Sequence, residues 1–246
     1  MTISPADRDF ACSLVIHEDA AMIAFDKPSG LAVQGGSGVT QSLEDLLSAF
    51  AKSNGKKPRL VHRLDRETSG VIVAARTKPA AALLSEAFAK RDVRKTYLAI
   101  VCGGTPTDCE GVVDLHLRKS SRKGLDIMEI GGPNDQTALT RYKTLCANEN
   151  AALLEVAPET GRMHQIRAHL AAIGRPIAGD AKYGGLFAVN GVAVTRLMLH
   201  AATLDLPHPL GGRIQLSAPP PEAFADFASA LDLSLSEPLS AAAGTP

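Results

Sequence analysis

The sequence predicts an α+β protein in which helices interrupt a series of short strands at irregular intervals. Segments that alternate apolar and polar residues, or that form short apolar runs, are typical of strands packed on a core. They are 13–19, 22–26, 70–76, 95–103, 137–147, 152–158 and 196–206. Apolar residues recur with helical spacing in 42–52, 77–90, 164–174 and 222–231. Because helices do not follow the strands one for one, a doubly wound parallel sheet is not expected.

Capping residues and apolar stripes support the predicted helices. Thr77 can cap a helix that continues to Lys90, with Pro79 in its first turn. Gly174 is a natural end for the helix that begins near His164. The residues expected to face the core of the first two helices are Leu43, Leu46, Leu47 and Phe50, then Leu83, Leu84, Ala87 and Phe88.

Length and composition indicate a soluble globular protein of the cytoplasm, with a core large enough for one domain or for two. The chain has 246 residues, of which 45% are hydrophobic, and its apolar runs are too short to span a bilayer. The N-terminus lacks the apolar region of a signal peptide, and the four cysteines have neither CxxC nor metal-ligand spacing. We expect an N-terminal extension over 1–13, a single domain over 14–231 and a flexible tail over 232–246.

Positive charge is clustered although the net charge is zero. Basic residues are concentrated in 52–66, 90–95 and 118–123, whereas the chain after Arg213 contains no lysine or arginine. This distribution predicts a positive face that attracts a polyanion such as RNA. The alternative is a set of solvated loop side chains, which charge alone does not exclude.

The segment HRLDRETSG, residues 62–70, is the first candidate site. Its carboxylate, Asp65, precedes a turn sequence that leads into the strand 70–76, so it can be held rigidly at the edge of a cleft. Asp65 could instead be an ordinary turn residue that accepts hydrogen bonds from Thr68 or Ser69.

Two further segments carry candidate binding residues. In ETGRMHQIRAHL (159–170), the side chains of Arg162, His164 and Arg167 lie at or near a helix N-terminus, where anions bind. A metal site is not expected there, since the i, i+5 spacing of its two histidines places them on different helix faces. In KTYLAI (95–100), alternation puts Lys95 and Tyr97 on one strand face, suited to a phosphate and a stacked base.

HRLDRETSG and GRMHQIR match two long motifs of the RluA family of pseudouridine synthases. DKPSGLAV (26–33), KTYLAI, GRPIAGDAKYGG (174–185) and RLMLHA (196–201) resemble further segments of that family in the same order. The resemblance runs from about residue 14 to residue 217. It implies a mixed, mostly antiparallel central sheet flanked by helices and loops, with an RNA-binding cleft, and a chain too short to include the S4-type RNA-binding domain of many relatives.

The resemblance also implies roles for individual residues. Asp65 is expected to be the catalytic aspartate, Tyr97 the aromatic residue that stacks on the target base, and Arg162 the partner of the aspartate. The residues expected to bind the substrate are His62, Arg63, Lys95, His164, Arg167 and Leu197. Arg63 would help to displace the target nucleotide, and Leu197 would form an apolar wall. Met163 replaces the threonine of many members, at a position where no chemistry is expected.

The predicted function is isomerisation of specific uridines to pseudouridine in a stem-loop of ribosomal or transfer RNA. The reaction has no redox change and no net hydrolysis, so we expect no cofactor and no metal; a monomer is the expected state. An alternative is a non-catalytic RNA-binding module on the same fold. A third possibility is a metal-dependent phosphodiesterase that uses His62, Asp65, His164 and His169, which activity in the presence of a chelator would exclude.

Overall fold

A computed structural model describes residues 3–36, 38–106, 108–122 and 124–235. The chain forms two compact units, one comprising 1–94 and 201–219 and the other 95–200 and 220–246. Within the described ranges, no helix is long and apolar enough to cross a lipid bilayer. The predicted tail over 232–246 lies outside the described residues from 236 onward. Its first residues are anchored, since Leu233 is buried and the Ser234 carbonyl accepts a hydrogen bond from Cys146.

The first unit begins with a helix and then alternates short strands with helices. Its elements are α1 (Pro5–Ser13), β1 (Val15–Glu18), β2 (Met22–Lys27), α2 (Leu43–Leu46), a 3-10 turn (Leu47–Phe50), β3 (Arg59–Leu60), β4 (Ser69–Ala75) and α3 (Lys78–Ala89). The second unit follows with β5 (Arg94–Cys102), β6 (Glu110–Asp114), β7 (Leu117–Arg122), β8 (Leu125–Ile130), β9 (Leu139–Ala147), β10 (Ala151–Pro158), α4 (Gln165–Ala172), β11 (Ala188–Val189) and β12 (Val192–Ala193). The last elements are β13 (Leu199–Pro207), β14 (Arg213–Ser217) and α5 (Glu222–Ala230).

Antiparallel pairing dominates both units, as the sequence predicts. In the first unit the strand order is β1-β2-β4-β13, with β3 also paired to β4 and β14 paired to β13. In the second unit the order is β5-β10-β9-β6, and β7–β8 and β11–β12 are separate two-stranded hairpins. The α+β fold class with a mostly antiparallel sheet is therefore confirmed.

The core of the first unit packs α3 against one face of its strands. This core consists of small and branched side chains from β2, β4, α3, β13 and β14, among them Met22, Val73, Leu84, Leu204 and Leu216. Thr77 caps α3 by accepting a hydrogen bond from the Ala80 N–H at 3.2 Å, as predicted. The inward orientation predicted for Leu83 is wrong: its side chain is 37% exposed, at the edge of the stripe that Leu84 and Ala87 bury.

Several elements differ from the sequence prediction. The helix expected over 42–52 is one α turn followed by a 3-10 turn that ends at Phe50. The helix α1 lies within the expected extension, and its start is fixed by Ser4, whose side chain accepts a hydrogen bond from the Asp7 N–H. Part of the basic run 118–123 forms strand β7, and its position 123 lies outside the described residues.

Polar side chains join two turns of the first unit. Asp19 lies in the turn between β1 and β2, and its Oδ1 accepts hydrogen bonds from the backbone N–H groups of Ala21 and Met22. Burial raises the pKa of Asp19, but the hydrogen bonds from Met22, His17, Ala21 and His208 outweigh it and hold the pKa well below its usual range.

Candidate active site

The loop 62–70 connects β3 to β4 and has the turn that its sequence predicts. The Thr68 N–H donates a hydrogen bond to the Asp65 carbonyl at 3.1 Å, closing a turn over Arg66 and Glu67. Thr68 is buried at one end of the turn, whereas the side chain of Asp65 is half-buried. The turn thus fixes the backbone that follows Asp65, while the carboxylate keeps some access to solvent.

Gly70 allows the end of this loop to lie directly against strand β13. Its φ is +110°, and a Cβ at this position would lie 2.1 Å from the carbonyl oxygen of Ala201. Only glycine combines that backbone conformation with so close an approach. The first residues of β4 are therefore held at a defined position, and they anchor the loop that carries Asp65.

The side chain of Lys27 also holds this loop in place. The residue is fully buried, and its Nζ donates hydrogen bonds to the carbonyls of Pro28, Leu31 and Arg66 at 2.9, 2.8 and 3.0 Å. A buried ammonium requires several such acceptors, because desolvation of an uncompensated charge costs several kcal/mol. Lys27 thereby fixes the Arg66–Glu67 peptide, which lies inside the turn that begins at Asp65.

The remaining polar side chains of the loop differ in their exposure. The Nε2 atom of His62 accepts a hydrogen bond from the Val73 N–H at 3.0 Å, and its ring stacks on Phe88 with centroids 4.4 Å apart. Arg63 and Arg66 are exposed, and the Arg66 Nε donates to the Gly30 carbonyl at 2.9 Å. His62 is thus integrated into the fold of the first unit, while the two arginines present charge to solvent.

Strand β5 places Lys95 and Tyr97 as its alternation predicts. Both side chains are half-buried. The alternate residues Thr96 and Leu98, which lie on the other face of the strand, are buried. The Lys95 Nζ donates a hydrogen bond to the Thr160 carbonyl at 2.9 Å. This bond ties the start of β5 to the segment that leads into Arg162.

Gln165 organises the turn that precedes helix α4. Its side chain is 3% exposed, and its Oε1 accepts hydrogen bonds from the Thr160 hydroxyl at 2.6 Å and the Arg162 N–H at 3.1 Å. Its Nε2 donates to the Leu139 carbonyl and to the Thr140 hydroxyl, both at 2.9 Å. All four hydrogen-bonding positions of the amide are therefore used, which fixes the backbone at Arg162.

The two predicted residues before α4 occupy defined positions. The half-buried Arg162 donates from Nε to the Thr137 carbonyl at 3.0 Å. His164 is the N-cap residue of the helix and has a left-handed backbone with φ of +50°. Its Nδ1 lies 3.0 Å from the hydroxyl of Tyr183. The helix begins at Gln165, so both residues lie at its N-terminus as predicted.

Arg167 and Leu197 are both buried. Arg167 is 5% exposed and forms a two-point ion pair with Asp180, in which both N–O distances are 2.8 Å. Its guanidinium also lies 5.2 Å from the centre of the Tyr183 ring. Leu197 is 3% exposed and precedes β13, and its carbonyl accepts a hydrogen bond from the Arg196 Nε at 3.1 Å.

The two histidines near α4 have different partners. His169 is fully buried, with Nδ1 2.9 Å from the Thr140 hydroxyl and Nε2 3.0 Å from the Leu115 carbonyl. Since a carbonyl only accepts, Nε2 carries the proton. Burial lowers the pKa of His169. His164 contacts Tyr183 instead, so the two imidazoles do not converge as metal ligands.

The predicted site residues are divided between the two units. His62, Arg63 and Asp65 belong to the first unit, and the second unit contains Lys95, Tyr97, Arg162, His164, Arg167 and Leu197. Four residues that the motifs alone do not single out hold these segments in place: Lys27, Gln165, Asp180 and Tyr183. All four lie within segments that resemble the family, so a polar side chain inside such a segment is the signal that the sequence offers.

A half-buried carboxylate beside exposed arginines, at the edge of a mostly antiparallel sheet, is an arrangement suited to an enzyme that acts on a nucleic acid. The family model described as RNA pseudouridylate synthase matches residues 21–172. The chain belongs to this family and is an RNA pseudouridine synthase, an isomerase that converts uridine in RNA to pseudouridine.

Individual relatives agree with the family match. The chain is 38% identical over 214 residues to an uncharacterised RNA pseudouridine synthase of Zymomonas mobilis, covering 87% of this chain and 96% of that protein. It is 42% identical over 171 residues to ribosomal large subunit pseudouridine synthase C of Rickettsia bellii, covering 69% of this chain but only 56% of the relative. The structure of human RNA pseudouridylate synthase domain containing 4 superposes with a TM-score of 0.78 at 29% identity, covering 94% of this chain and 98% of that one.

Proposed function

We propose that this protein isomerises specific uridines in a stem-loop of ribosomal or transfer RNA, with Asp65 as the catalytic carboxylate. The observation that carries the proposal is the loop 62–70, in which a half-buried Asp65 is held by a closed turn beside exposed Arg63 and Arg66. The family match extends across the boundary between the two units, which supports a single catalytic domain over 14–231. We further propose that the protein is a cytoplasmic monomer and that it needs neither a cofactor nor a catalytic metal.

The reaction explains why a fixed, ionised carboxylate is required. The N1–C1′ bond of the uridine breaks, the uracil turns, and a new bond joins C5 to C1′. A pocket that excludes water prevents its addition to the electron-poor sugar, but burial also favours the neutral acid. An arginine close to the carboxylate opposes that effect by stabilising its charge. We assign this role to Arg162, whose backbone is fixed by Gln165.

Recognition of the target base requires aromatic and apolar surface. A uridine taken out of its stack loses a few kcal/mol of stacking, which contacts with the protein must restore. The half-buried Tyr97 is suited to stacking on the base, and the exposed Arg63 is suited to the space that the base leaves. We place Leu197 in the wall of the pocket and Lys95 and His164 beside the RNA backbone.

In this proposal, two of the predicted binding residues act indirectly, by positioning other parts of the protein. His62 accepts a backbone hydrogen bond and stacks on Phe88, and Arg167 forms a buried ion pair with Asp180. These contacts support indirect roles in which His62 positions the loop before Asp65 and Arg167 positions helix α4. Their substitution is therefore expected to affect stability as well as RNA binding.

Basic segments of both units would bind RNA phosphates. Lysines and arginines within 52–66, 90–94 and 118–122 are mostly exposed, although those of β7 form ion pairs with acids of β8 at 2.8–3.9 Å. Phosphate contacts of this kind make affinity fall as salt concentration rises. The Rickettsia relative is named a ribosomal large subunit enzyme, which favours ribosomal RNA as the first substrate to test.

The test is the substitution Asp65→Asn, assayed on ribosomal and transfer RNA that lack pseudouridine. We expect pseudouridine formation to fall by about 1,000-fold or more, because the charged carboxylate is lost, while RNA affinity stays within a few-fold. Asp108→Asn, at an exposed aspartate, is the matched control and should keep full activity. Full activity of Asp65→Asn would refute the assignment, and an inactive wild-type protein that binds RNA would favour the non-catalytic alternative.

A further inference from the structure

A cluster of two histidines and one aspartate lies in the first unit, outside the candidate active site. His17 is in strand β1, Asp19 is in the turn that follows it, and His208 is in the turn between β13 and β14. The Nε2 atoms of the two imidazoles lie 2.9 and 2.7 Å from the same oxygen, Oδ2 of Asp19. One nitrogen from each histidine and one carboxylate oxygen all lie within 4.8 Å of one another.

We propose that His17, Asp19 and His208 form a binding site for a divalent transition-metal ion, with Zn²⁺ as the best-fitting ion. Two imidazole nitrogens and one carboxylate oxygen are a donor set that Zn²⁺ takes readily, whereas Ca²⁺ and Mg²⁺ prefer oxygen donors throughout. Tetrahedral Zn²⁺ with bonds of about 2.0–2.1 Å separates neighbouring ligand atoms by about 3.3 Å. The two N–O distances, 2.9 and 2.7 Å, are therefore only about half an ångström shorter than this separation.

The carboxylate is already oriented for this role. Oδ1 of Asp19 accepts the N–H groups of Ala21 at 2.6 Å and Met22 at 2.9 Å, so Oδ2 is the oxygen directed at the imidazoles. Bonds of this kind around a ligating carboxylate fix its orientation and support metal affinity. The side chains of His17, Asp19 and His208 are 28%, 23% and 15% exposed, so a water molecule can reach a fourth coordination position.

Two neighbouring groups bear on the affinity of the site. The Arg76 guanidinium donates to the Asp19 carbonyl at 3.2 Å, but it also pairs with Glu18, which compensates its positive charge. The His208 Nδ1 accepts a long hydrogen bond of 3.3 Å from the Leu210 N–H. When Nε2 binds metal, Nδ1 carries the proton, so this weak bond is lost and the exposed turn at Leu210 must adjust.

The position of the cluster indicates a structural role. Met22, next to the Asp19 turn, pairs with Ala75, whereas Lys27 pairs with Gly70 at the opposite end of the same two strands. Five residues of extended strand, roughly 17 Å, therefore separate the cluster from the end of the loop that carries Asp65. A metal ion here would join the β1–β2 turn to the β13–β14 turn, and it would take no part in the chemistry at Asp65.

The experiment measures Zn²⁺ binding directly, with the full chain free of any affinity tag. All proteins carry Cys12→Ser and Cys109→Ser, because these two exposed thiols would otherwise bind the ion. Isothermal titration and thermal unfolding compare this background with His17→Gln and with His208→Gln. Glutamine retains a hydrogen-bond donor toward Asp19 but does not replace an imidazole ligand. His116→Gln, at a histidine outside the cluster, is the matched control.

We expect one equivalent of Zn²⁺ to bind the background protein and to raise its melting temperature. Each cluster variant should bind Zn²⁺ about 10-fold more weakly or worse and lose the thermal shift, while the control keeps both. Circular dichroism of the metal-free proteins shows whether the glutamine variants fold, and either variant alone suffices for the comparison. No binding to the background protein, or equal affinity in the cluster variants, would overturn the proposal and leave a hydrogen-bonded cluster only.

Discussion

The two motifs of this enzyme are held in place in different ways. In the loop 62–70 of the first unit, a turn within the motif fixes the backbone after Asp65, and the further supports Lys27 and Ala201 come from other parts of the sequence. In the segment 159–170 of the second unit, a side chain of the motif itself, Gln165, binds the backbone of Arg162 and also joins this turn to strand β9. The first motif therefore depends on distant residues for part of its support, whereas the second motif supplies the residue that anchors it.

Substitutions at the two kinds of support should have different effects. Substitutions at the residues that support the first motif do not alter the reacting groups. We expect them to displace Asp65 by shifting the backbone of the loop. Changes at the support of the second motif remove several hydrogen bonds at once, because one amide makes four of them.

Gly70→Ala should have the largest effect, since the new Cβ would meet the Ala201 carbonyl while the backbone stays at positive φ. We expect a loss of about 4 kcal/mol in the free energy of unfolding, from overpacking together with backbone strain. Urea denaturation measures this loss. Gly30→Ala is the matched control: its φ is +88°, but no atom lies within 4 Å of the new Cβ, so a loss of about 1 kcal/mol is expected. Equal losses in the two variants would show that β4 does not require the close approach.

Gln165→Ala should cost about 3 kcal/mol in the free energy of unfolding, because it leaves buried donors and acceptors of the turn without partners. We also expect kcat to fall, since the Arg162 backbone is no longer fixed. Gln165→Glu keeps the two accepting bonds but places a buried carboxylate oxygen against the Leu139 carbonyl, so it should be no more stable than Gln165→Ala. The exposed Gln136 provides the control Gln136→Ala, which should leave both properties unchanged. An unchanged kcat in Gln165→Ala would contradict the positioning role.

Lys27→Met should cost about 2 kcal/mol in the free energy of unfolding, as three bonds to carbonyls are lost while the cost of burying an ammonium is removed. Because one of those carbonyls belongs to Arg66, we expect activity to fall more than stability alone explains. The measurement is kcat at a temperature where the variant is fully folded. Lys56→Met, at an exposed lysine of the same unit, is the control. Wild-type kcat in Lys27→Met would show that the loop is held without this clamp.

Strong local patterns made much of the fold predictable. The strands β2, β4, β5, β9 and β10 lie within about two residues of their predicted bounds, because each is an apolar or alternating run between turn residues. The cap at Thr77 and the start of α4 were likewise local signals. The hairpin β7–β8 was missed because its basic run looks like a loop, and its strands are stabilised by cross-strand ion pairs such as Arg118 with Glu129.

The candidate site was predictable only in part. Asp65 and Arg162 stand out as candidates because they lie in long motifs, and Tyr97 because strand alternation places it beside Lys95. The motif did not reveal that Arg167 forms a buried ion pair, since Asp180 follows it by 13 residues on another segment. Met163, the departure from the family pattern, contacts the apolar cluster of Leu117, Met128, Ala138 and Ala168. Its side chain has a packing role.

The fold class and the family follow from the sequence, and Asp65 stands out in it as the candidate carboxylate, because periodicity, turn residues and motifs are properties of neighbouring residues. Which side chains support these features depends on the tertiary structure. Lys27 contacts the Arg66 carbonyl across 39 positions, and His208 meets Asp19 across 189. Such contacts arise when strands pair and bury polar groups that then require partners, and no local pattern specifies which partner that will be.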